Sequence, residues 1–148
     1  MVYKFEKLEV WQKALDYADR IHEVADVLPS HEKYGLRSQI TRAANSVALN
    51  IAEGSTSQSD DEGPKVMPLV PARFLGMAIR SLVETIACLH LIKRREYLSD
   101  PESLRDAYRA SRPLFAQLQA FRSSLTGSDD GSVKEEQGLY DAEGDVPF

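Results

Sequence analysis

The sequence predicts an all-α protein, an antiparallel up-down-up-down four-helix bundle without strands. Four stretches carry apolar residues at steps of three and four, the repeat of a helix with one buried face. Proline or glycine lies near the ends of these stretches, and the connection over residues 29–33 is short enough to favour antiparallel neighbours. We therefore expect helices near residues 8–28, 33–53, 73–97 and 100–125.

The first predicted helix is amphipathic and stops at Pro29 and Ser30. Trp11 is the only tryptophan in the chain. Because large aromatic side chains contribute strongly to core energetics, we expect Trp11 to be a packing anchor. The expected apolar face consists of Leu8, Trp11, Leu15, Ala18, Ile21, Ala25 and Leu28.

The second predicted helix carries a polar stripe beside an apolar face that runs from Leu36 to Ile51. A helix that faces only a core and water needs no such stripe. We therefore expect a buried polar network or a subunit interface, with Glu84 of the third helix as a partner for Arg42 or Gln39. A ligand or catalytic site is the alternative. The stripe consists of Gln39, Arg42, Ser46, Asn50 and Glu53.

Gly54 follows the second helix as its expected C′ residue, where glycine adopts a left-handed conformation at little cost. Residues 55–72 then have the composition of a loop, with prolines at positions 64, 68 and 71. Several apolar side chains between positions 66 and 70 are unusual for a fully solvated linker. Two interpretations stay open, a surface loop tucked against the bundle or a segment that docks a partner.

The fourth predicted helix begins at Asp100, Pro101 and Glu102, a typical helix start. Residues 93–95 are basic and lie in the last turns of the third helix, where cations complement the helix dipole. Pro113 falls inside the fourth helix and removes a backbone donor, so we expect a kink near residues 110–113. Gly127 is expected to end that helix.

The net charge of −5 is distributed unevenly along the chain. Residues 127–148 contain seven acidic residues and one lysine, so that segment carries −6 and residues 1–126 carry +1. The segment also lacks a periodic apolar face, which is typical of disorder. We predict one domain over residues 1–126 and a disordered acidic tail over residues 127–148. A body that is nearly neutral leaves nucleic-acid binding open.

Arginines recur at helical steps on the third and fourth predicted helices. Such rows supply the sequence-independent part of nucleic-acid affinity, although a solvated helix face is the alternative. No aromatic residues are interleaved as a base-stacking platform would require, so binding would be to backbone and shape. We expect the acidic tail to compete with phosphates for the arginines of the fourth helix. The candidate nucleic-acid-binding residues are Arg73, Arg80, Arg105, Arg109 and Arg112.

The sequence shows no pattern typical of an enzyme, a metal site or a cofactor site. Its three histidines and single cysteine, Cys88, have no metal-ligand spacing, and no nucleophile is placed beside a base. A single cysteine allows no internal disulfide, which favours the cytoplasm. The N-terminus has no signal-peptide pattern, and no run approaches the roughly 20 apolar residues of a membrane span. We expect no enzymatic activity, no metal, no cofactor and no membrane association.

Three segments together carry a resemblance to a known family. They are FEKLEVWQKA, YGLRSQITRAANSVALNIAEG and RFLGMAIRSLVETIACL, within residues 5–125. The chain resembles a bacterial four-helix-bundle family, some of whose members are encoded within intervening sequences of 23S ribosomal RNA genes. A related group is the accessory variability protein of diversity-generating retroelements. The resemblance implies a homopentamer of four-helix protomers without known enzymatic activity. The segment GPKVMPLVPA departs from the family and looks inserted.

These observations leave two hypotheses of function. The first is a non-enzymatic, oligomeric accessory protein that associates with RNA or a ribonucleoprotein. The second is a protein-interaction scaffold that docks a partner such as a retroelement reverse transcriptase. Salt-sensitive binding to generic RNA separates them, because only the first hypothesis requires it.

Overall fold

The computed structural model describes residues 2–56, 70–126 and 145–148. Within these ranges the chain contains no strand, and its four helices pack against one another. The predicted all-helical four-helix bundle is therefore confirmed. Two short 3₁₀ turns, Lys4–Lys7 and Ser30–Glu32, accompany the helices. The helices are α1 (Glu9–Asp26), α2 (Leu36–Thr56), α3 (Ala72–Arg94) and α4 (Glu102–Thr126).

Contacts between α2 and its two neighbours define the direction of these helices. The end of α1 meets the start of α2 through Arg37 and Asp26, whose Nη2 and Oδ1 atoms are 3.4 Å apart. Between α2 and α3, Gln39 contacts Glu84 and Ser46 contacts Ser81. Residue numbers rise along one helix as they fall along the other, so α2 runs antiparallel to α3. Helix α1 also packs against α4, which encloses one core.

The buried face of α1 differs in register from the predicted one. Tyr17 is buried, whereas Leu15, which was expected in the core, is 39% exposed. Trp11 is only partly buried and packs edge-on against Phe5, with ring centres 4.9 Å apart. Trp11 thus packs against the edge of the core as a partly buried side chain, while the deepest side chains on this helix are Tyr17 and Ile21.

Helix α2 begins three residues later and ends later than predicted, so Gly54 lies inside the helix. Its expected role as a left-handed C′ residue was wrong. A Cβ atom at Gly54 would lie 2.5 Å from Cγ1 of Val70 and 2.8 Å from Cβ of Phe74. The glycine is therefore required for the close approach of the chain that enters α3.

Helix α3 ends earlier than predicted, whereas helix α4 ends within one residue of the predicted position. The kink expected near residues 110–113 stays a prediction. Helix α3 stops at Arg94, and Glu96 has a φ of 54° in the left-handed region, which cannot continue a helix. Helix α4 continues through Pro113 without a break. The hydroxyl of Ser111, in the same turn, donates a hydrogen bond of 2.5 Å to the carbonyl of Tyr108.

Residues 57–69 and 127–144, which include most of the predicted proline-rich loop and acidic tail, lie outside the described residues. Residues 145–148 are described, and they contact the bundle through α3 and α4. The division into a domain over residues 1–126 and a disordered tail over residues 127–148 stays a prediction. Phe148 packs against the core cluster. The strongly acidic composition of residues 127–148 did not indicate this contact.

Helix α3 is the most apolar helix of the described chain. It is the one described helix that is long and apolar enough to cross a membrane, because its most apolar window of 18 residues has a mean hydropathy of 1.5. The expectation that no segment reaches this level was therefore too strict. Half of that window is buried inside the bundle. The core helix of a soluble bundle meets the same criterion, so the finding gives little support to a membrane span.

Candidate functional site

A polar cleft of about 340 Å³ lies between α2 and α3. It brings together most of the polar stripe predicted on α2 and the predicted partner on α3. Nε2 of Gln39 donates a hydrogen bond of 3.2 Å to Oε1 of Glu84. The expectation that Glu84 meets this stripe is thus met through Gln39. The residues that line the cleft are Gln39, Arg42, Ala43, Ser46, Ser81 and Glu84.

Arg42 does not neutralise Glu84 within the protomer. Its Nη2 atom donates a hydrogen bond of 3.1 Å to Oγ of Ser38, one turn earlier on α2. Among the described residues no ion pair joins Arg42 to Glu84, and both side chains are exposed. The cleft therefore presents a cation and an anion that remain available to a further partner.

The floor of the cleft is a short chain of hydrogen bonds. Nδ2 of Asn50 donates to the carbonyl of Ser46 at 2.8 Å and to its Oγ at 2.9 Å. Oγ of Ser81 donates to the same Oγ at 3.0 Å. Asn50 is 7% exposed, so this network satisfies a buried amide donor that would otherwise cost free energy. Ser81 was not predicted, although its position three residues before Glu84 places it on the same side of α3.

Glu53 lies apart from this network. Its side chain is exposed, and no hydrogen bond or ion pair involves its carboxylate in the part of the chain that the structure describes. The stripe on α2 therefore divides into a cleft portion and an exposed end. A pairing of Glu53 with Glu84, which the sequence allowed, has no contact to support it.

The core beneath the cleft contains a hydrogen bond that the sequence did not indicate. The hydroxyls of Tyr17 and Thr85 are 2.6 Å apart, and Thr85 also donates to the carbonyl of Leu82 at 2.6 Å. Because Thr85 has one proton to donate, Tyr17 is the donor in the first bond. Burial raises the pKa of Tyr17 above its ordinary range. Burial, followed by the charge of Glu84, raises the pKa of the Cys88 thiol to about 11, so Cys88 is protonated at neutral pH.

The arginines of α4 form one row, and acidic residues of the same helix partner two of them. Nη1 of Arg105 lies 3.3 Å from Oε2 of Glu102, and Nη1 of Arg109 lies 3.1 Å from its Oε1. Asp106 adds a second contact to Arg109 at 3.3 Å. The hydrogen bond with Glu102 is the main reason that the pKa of Arg109 is raised. The positive charge of the arginine row is therefore partly compensated by acidic residues of the same helix.

The other three candidate arginines are arranged differently. The guanidinium carbon of Arg112 lies 5.3 Å from the ring centre of Tyr108, and that of Arg73 lies 4.9 Å from the ring centre of Phe74. Arg80 is exposed, and no contact within the described ranges holds its side chain. Arg73 and Arg80 lie on α3, separate from the row on α4, so the structure does not join the five into one patch.

A second concave surface, an apolar groove of about 260 Å³, lies between α3 and α4. It borders the arginine row through Arg112 and the aromatic ring of Tyr108. Val83 is 48% exposed within it. No pattern in the sequence predicted this groove, because it depends on how two separate helices pack. Its lining consists of Ile79, Val83, Ile86, Tyr108, Ser111, Arg112, Phe115 and Gln119.

No group of three or more acidic, histidine or cysteine side chains that could hold a metal ion occurs among the described residues. The described surface carries a polar cleft, an arginine row and an apolar groove. Such features bind and orient partners through hydrogen bonds, charge and apolar contact.

Comparison with known proteins gives one family and a solved relative. A model of the 23S rRNA-intervening sequence proteins matches residues 6–119. A crystal structure from Bacteroides thetaiotaomicron, described as a protein with unknown function from the S23 ribosomal protein family, has 25% sequence identity and a TM-score of 0.63. That match covers 77% of this chain and 95% of the other. No curated protein matches the chain.

Proposed function

Because the chain belongs to the 23S rRNA-intervening sequence protein family, we propose that it is a non-enzymatic, oligomeric accessory protein that associates with RNA or a ribonucleoprotein in the cytoplasm. The resemblance inferred from the sequence is confirmed at the level of this family. The relation to the retroelement accessory protein stays a prediction. The surface chemistry of α2, α3 and α4 supports the proposal in two parts, one for assembly and one for RNA.

Assembly is supported by an outward surface, here called the α2–α3 outer face, formed by Arg42, Leu49, Met77, Glu84 and Leu91. Leu49 is 58% exposed, Met77 45% and Leu91 41%. Leu49 lies seven residues after Arg42, and Met77, Glu84 and Leu91 also recur at steps of seven. A seven-residue repeat keeps side chains in one row along a helix, the spacing used in helix–helix contacts. The observation that carries the oligomer is this row of exposed apolar side chains beside a cleft with unpaired charges.

A neighbouring subunit would satisfy both features of this face. It would remove apolar surface from water, which stabilises the assembly by about 25 cal/mol per Å² of apolar surface buried. It would also bring opposite charges to Arg42 and Glu84. A single heterologous contact, copied until it closes, gives a ring. We propose five subunits because of the family resemblance, since the face itself argues only for a contact between copies.

Sedimentation velocity on the purified full chain tests the assembly. Leu49→Asp and Leu91→Asp place a charge in the proposed contact and should convert the oligomer to monomers. Val27→Asp is the matched control, because Val27 is 59% exposed next to the end of α1 and outside the face. A wild-type chain that is monomeric at tens of micromolar would refute the oligomer, whereas a tetramer or hexamer would refute only the number.

RNA association is supported by the arginine row of α4, whereas Arg80 lies between Met77 and Glu84 on the α2–α3 outer face that is proposed for assembly. Guanidinium groups bind phosphate oxygens without reading sequence, so we expect affinity for generic RNA that falls with salt. Each arginine that contacts a phosphate should contribute about 0.7–0.9 to the slope of log affinity against log salt. Arg112→Gln should lower that slope.

Arg20→Gln is the matched control for Arg112→Gln. Arg20 is exposed on α1, and no ion pair holds it within the described chain, so the change removes one charge outside the proposed surface. Fluorescence anisotropy with a labelled RNA duplex, repeated over a salt series, measures the RNA affinity and its dependence on salt. Equal slopes for wild type, Arg112→Gln and Arg20→Gln would contradict the assigned surface.

The alternative is a scaffold that docks a protein partner, and the acidic partners on α4 favour it. Glu102 and Asp106 partly compensate Arg105 and Arg109, so phosphate must compete for these guanidinium groups. The exposed apolar side chains of α3 would suit a protein surface equally well. Absence of salt-sensitive RNA binding by the intact oligomer would favour the scaffold.

A further inference from the structure

Residues 145–148 contact the surface formed by α3 and α4. The Phe148 ring packs against His90 of α3 with centres 5.2 Å apart and against Tyr108 of α4 at 5.8 Å. His90 and Tyr108 also contact each other at 5.9 Å. All three pairs are edge-to-face, the favoured arrangement of aromatic rings. Phe148 is thus held by a pair of rings contributed by two different helices.

Two arginines of the α4 row fix the main chain and the acidic side chain of the same segment. Nε of Arg105 donates a hydrogen bond of 2.8 Å to the main-chain oxygen of Phe148. Nε of Arg109 lies 3.7 Å from Oδ1 of Asp145. These contacts are separated by one turn of α4 and by three residues of the segment. An aromatic side chain and an acid three residues before it are therefore recognised together.

We infer that this surface, here called the α3–α4 seat, is a binding site for a short acidic-aromatic peptide segment, and that residues 145–148 occupy it in competition with polyanions. The assignment of a peptide-binding site rests on these contacts alone. The competition with polyanions rests on the proposed RNA association, because it requires that the segment cover Arg105 and Arg109. A partner protein with an aromatic residue after an acidic one would fit the same seat.

The competition follows from which atoms the segment uses. Arg105 and Arg109 already contact Glu102 through Nη1, and the segment takes the Nε atom of each, so that Nη2 is left on both. Phosphate can reach the Nε atoms only when the segment leaves. If the segment occupies the seat in nine molecules of ten, affinity for a polyanion at these groups is reduced about tenfold.

Phe148→Ala in the full chain separates release of the segment from a change in charge. This variant keeps the net charge, so any gain in polyanion affinity cannot come from general electrostatics. We expect its affinity for poly(U) at low salt to rise about three- to tenfold. Tyr34→Ala is the matched aromatic control, because Tyr34 is 86% exposed between α1 and α2. Asp145→Asn should also raise affinity, and by more than Asp19→Asn, which removes an exposed charge from α1.

Occupancy of the seat is measured independently of RNA by NMR. The ring signals of His90 and Tyr108 should shift in Phe148→Ala and stay unchanged in Tyr34→Ala, because only Phe148 contacts both rings. A blocked Asp-Val-Pro-Phe peptide added to the Phe148→Ala chain should restore those signals in a saturable manner, and a peptide ending in alanine should not.

The outcomes separate this inference from the proposed function. Unchanged ring signals in Phe148→Ala, or no response to the peptide, would overturn the seat whatever RNA does. Shifted signals with unchanged poly(U) affinity would overturn the competition. If neither wild type nor any variant binds poly(U), the RNA association fails, and the peptide titration alone then decides whether the seat binds acidic-aromatic segments.

Discussion

Gly54 and Gly76 make a matched pair on which the packing between helices can be tested. Both are buried glycines within helices, Gly54 in α2 and Gly76 in α3. A Cβ atom at Gly54 would lie 2.5 Å from Cγ1 of Val70 and 2.8 Å from Cβ of Phe74. A Cβ atom at Gly76 would meet only the end of Arg122, at 3.8 Å. The first contact is a severe overlap with two constrained side chains, and the second is ordinary van der Waals contact.

Replacing glycine by alanine should change the free energy of unfolding in opposite directions at these two positions. Glycine to alanine within a helix stabilises it by about 0.5–1 kcal/mol, because the unfolded chain loses conformational freedom. At Gly76 nothing opposes this gain, so Gly76→Ala should stabilise by about 0.5–1 kcal/mol. At Gly54 overpacking costs roughly 1–3 kcal/mol, because Val70 is β-branched and fully buried. Gly54→Ala should therefore destabilise by about 1–2 kcal/mol.

Urea unfolding of the full chain, followed by far-ultraviolet circular dichroism at fixed protein concentration, measures both changes. Fixed concentration matters because assembly would contribute to the apparent free energy of unfolding. The midpoints should move in opposite directions with similar slopes. If both variants are stabilised, the chain that enters α3 does not approach α2 as closely as the structure places it. If both are destabilised, space around Gly76 has been overestimated.

Four further substitutions test the core. Tyr17→Phe should cost about 0.5–1.5 kcal/mol of unfolding free energy, and Thr85→Val should cost more because it leaves the buried Tyr17 hydroxyl without an acceptor; equal costs would contradict the assigned donor. Trp11→Ala should cost about 1–3 kcal/mol, less than the roughly 3–5 kcal/mol of a fully buried aromatic, because Trp11 is half-buried. The raised pKa of Cys88 implies stability that is complete below its ordinary value of 9.0 and declines as pH rises through about 11. Cys88→Ala should reduce that alkaline decline, and an unchanged pH profile of the unfolding midpoint would refute the assignment.

The fold and the polar cleft could be predicted because both depend on local periodicity. Steps of three and four identify a helix and its faces whatever it packs against, so the polar stripe on α2 was visible in the sequence. Its contact with Glu84 followed from the cost of leaving a charge among apolar neighbours. The pairing of Glu84 with Gln39 rather than Arg42 depends on side-chain reach across two helices, which periodicity does not specify.

Features that depend on pairs distant in sequence were not predicted. The Tyr17–Thr85 hydrogen bond joins residues 68 positions apart, and neither residue stands out in its own segment. Gly54 has the same sequence signature whether it ends a helix or admits a neighbouring side chain. Phe148 lies at the end of a strongly acidic stretch, where composition predicts disorder. Its contacts become visible only when the packing of α3 and α4 brings His90 beside Tyr108.

The α2–α3 outer face and the arginine row of α4 lie on different helices, and this arrangement predicts how assembly affects RNA binding. The α2–α3 outer face would be buried between subunits, whereas the arginine row of α4 would remain outside that contact and be repeated by the ring. Weak phosphate contacts then add by avidity, which raises affinity by about 10²–10⁴ when geometry permits. Leu91→Asp leaves every arginine in place, so its effect on RNA binding reports assembly alone. We expect Leu91→Asp to weaken binding to a long RNA by at least tenfold. Binding to a duplex too short to contact more than one subunit should be nearly unchanged. A monomeric Leu91→Asp chain that binds both RNAs as tightly as wild type would show that the arginine row acts without the ring.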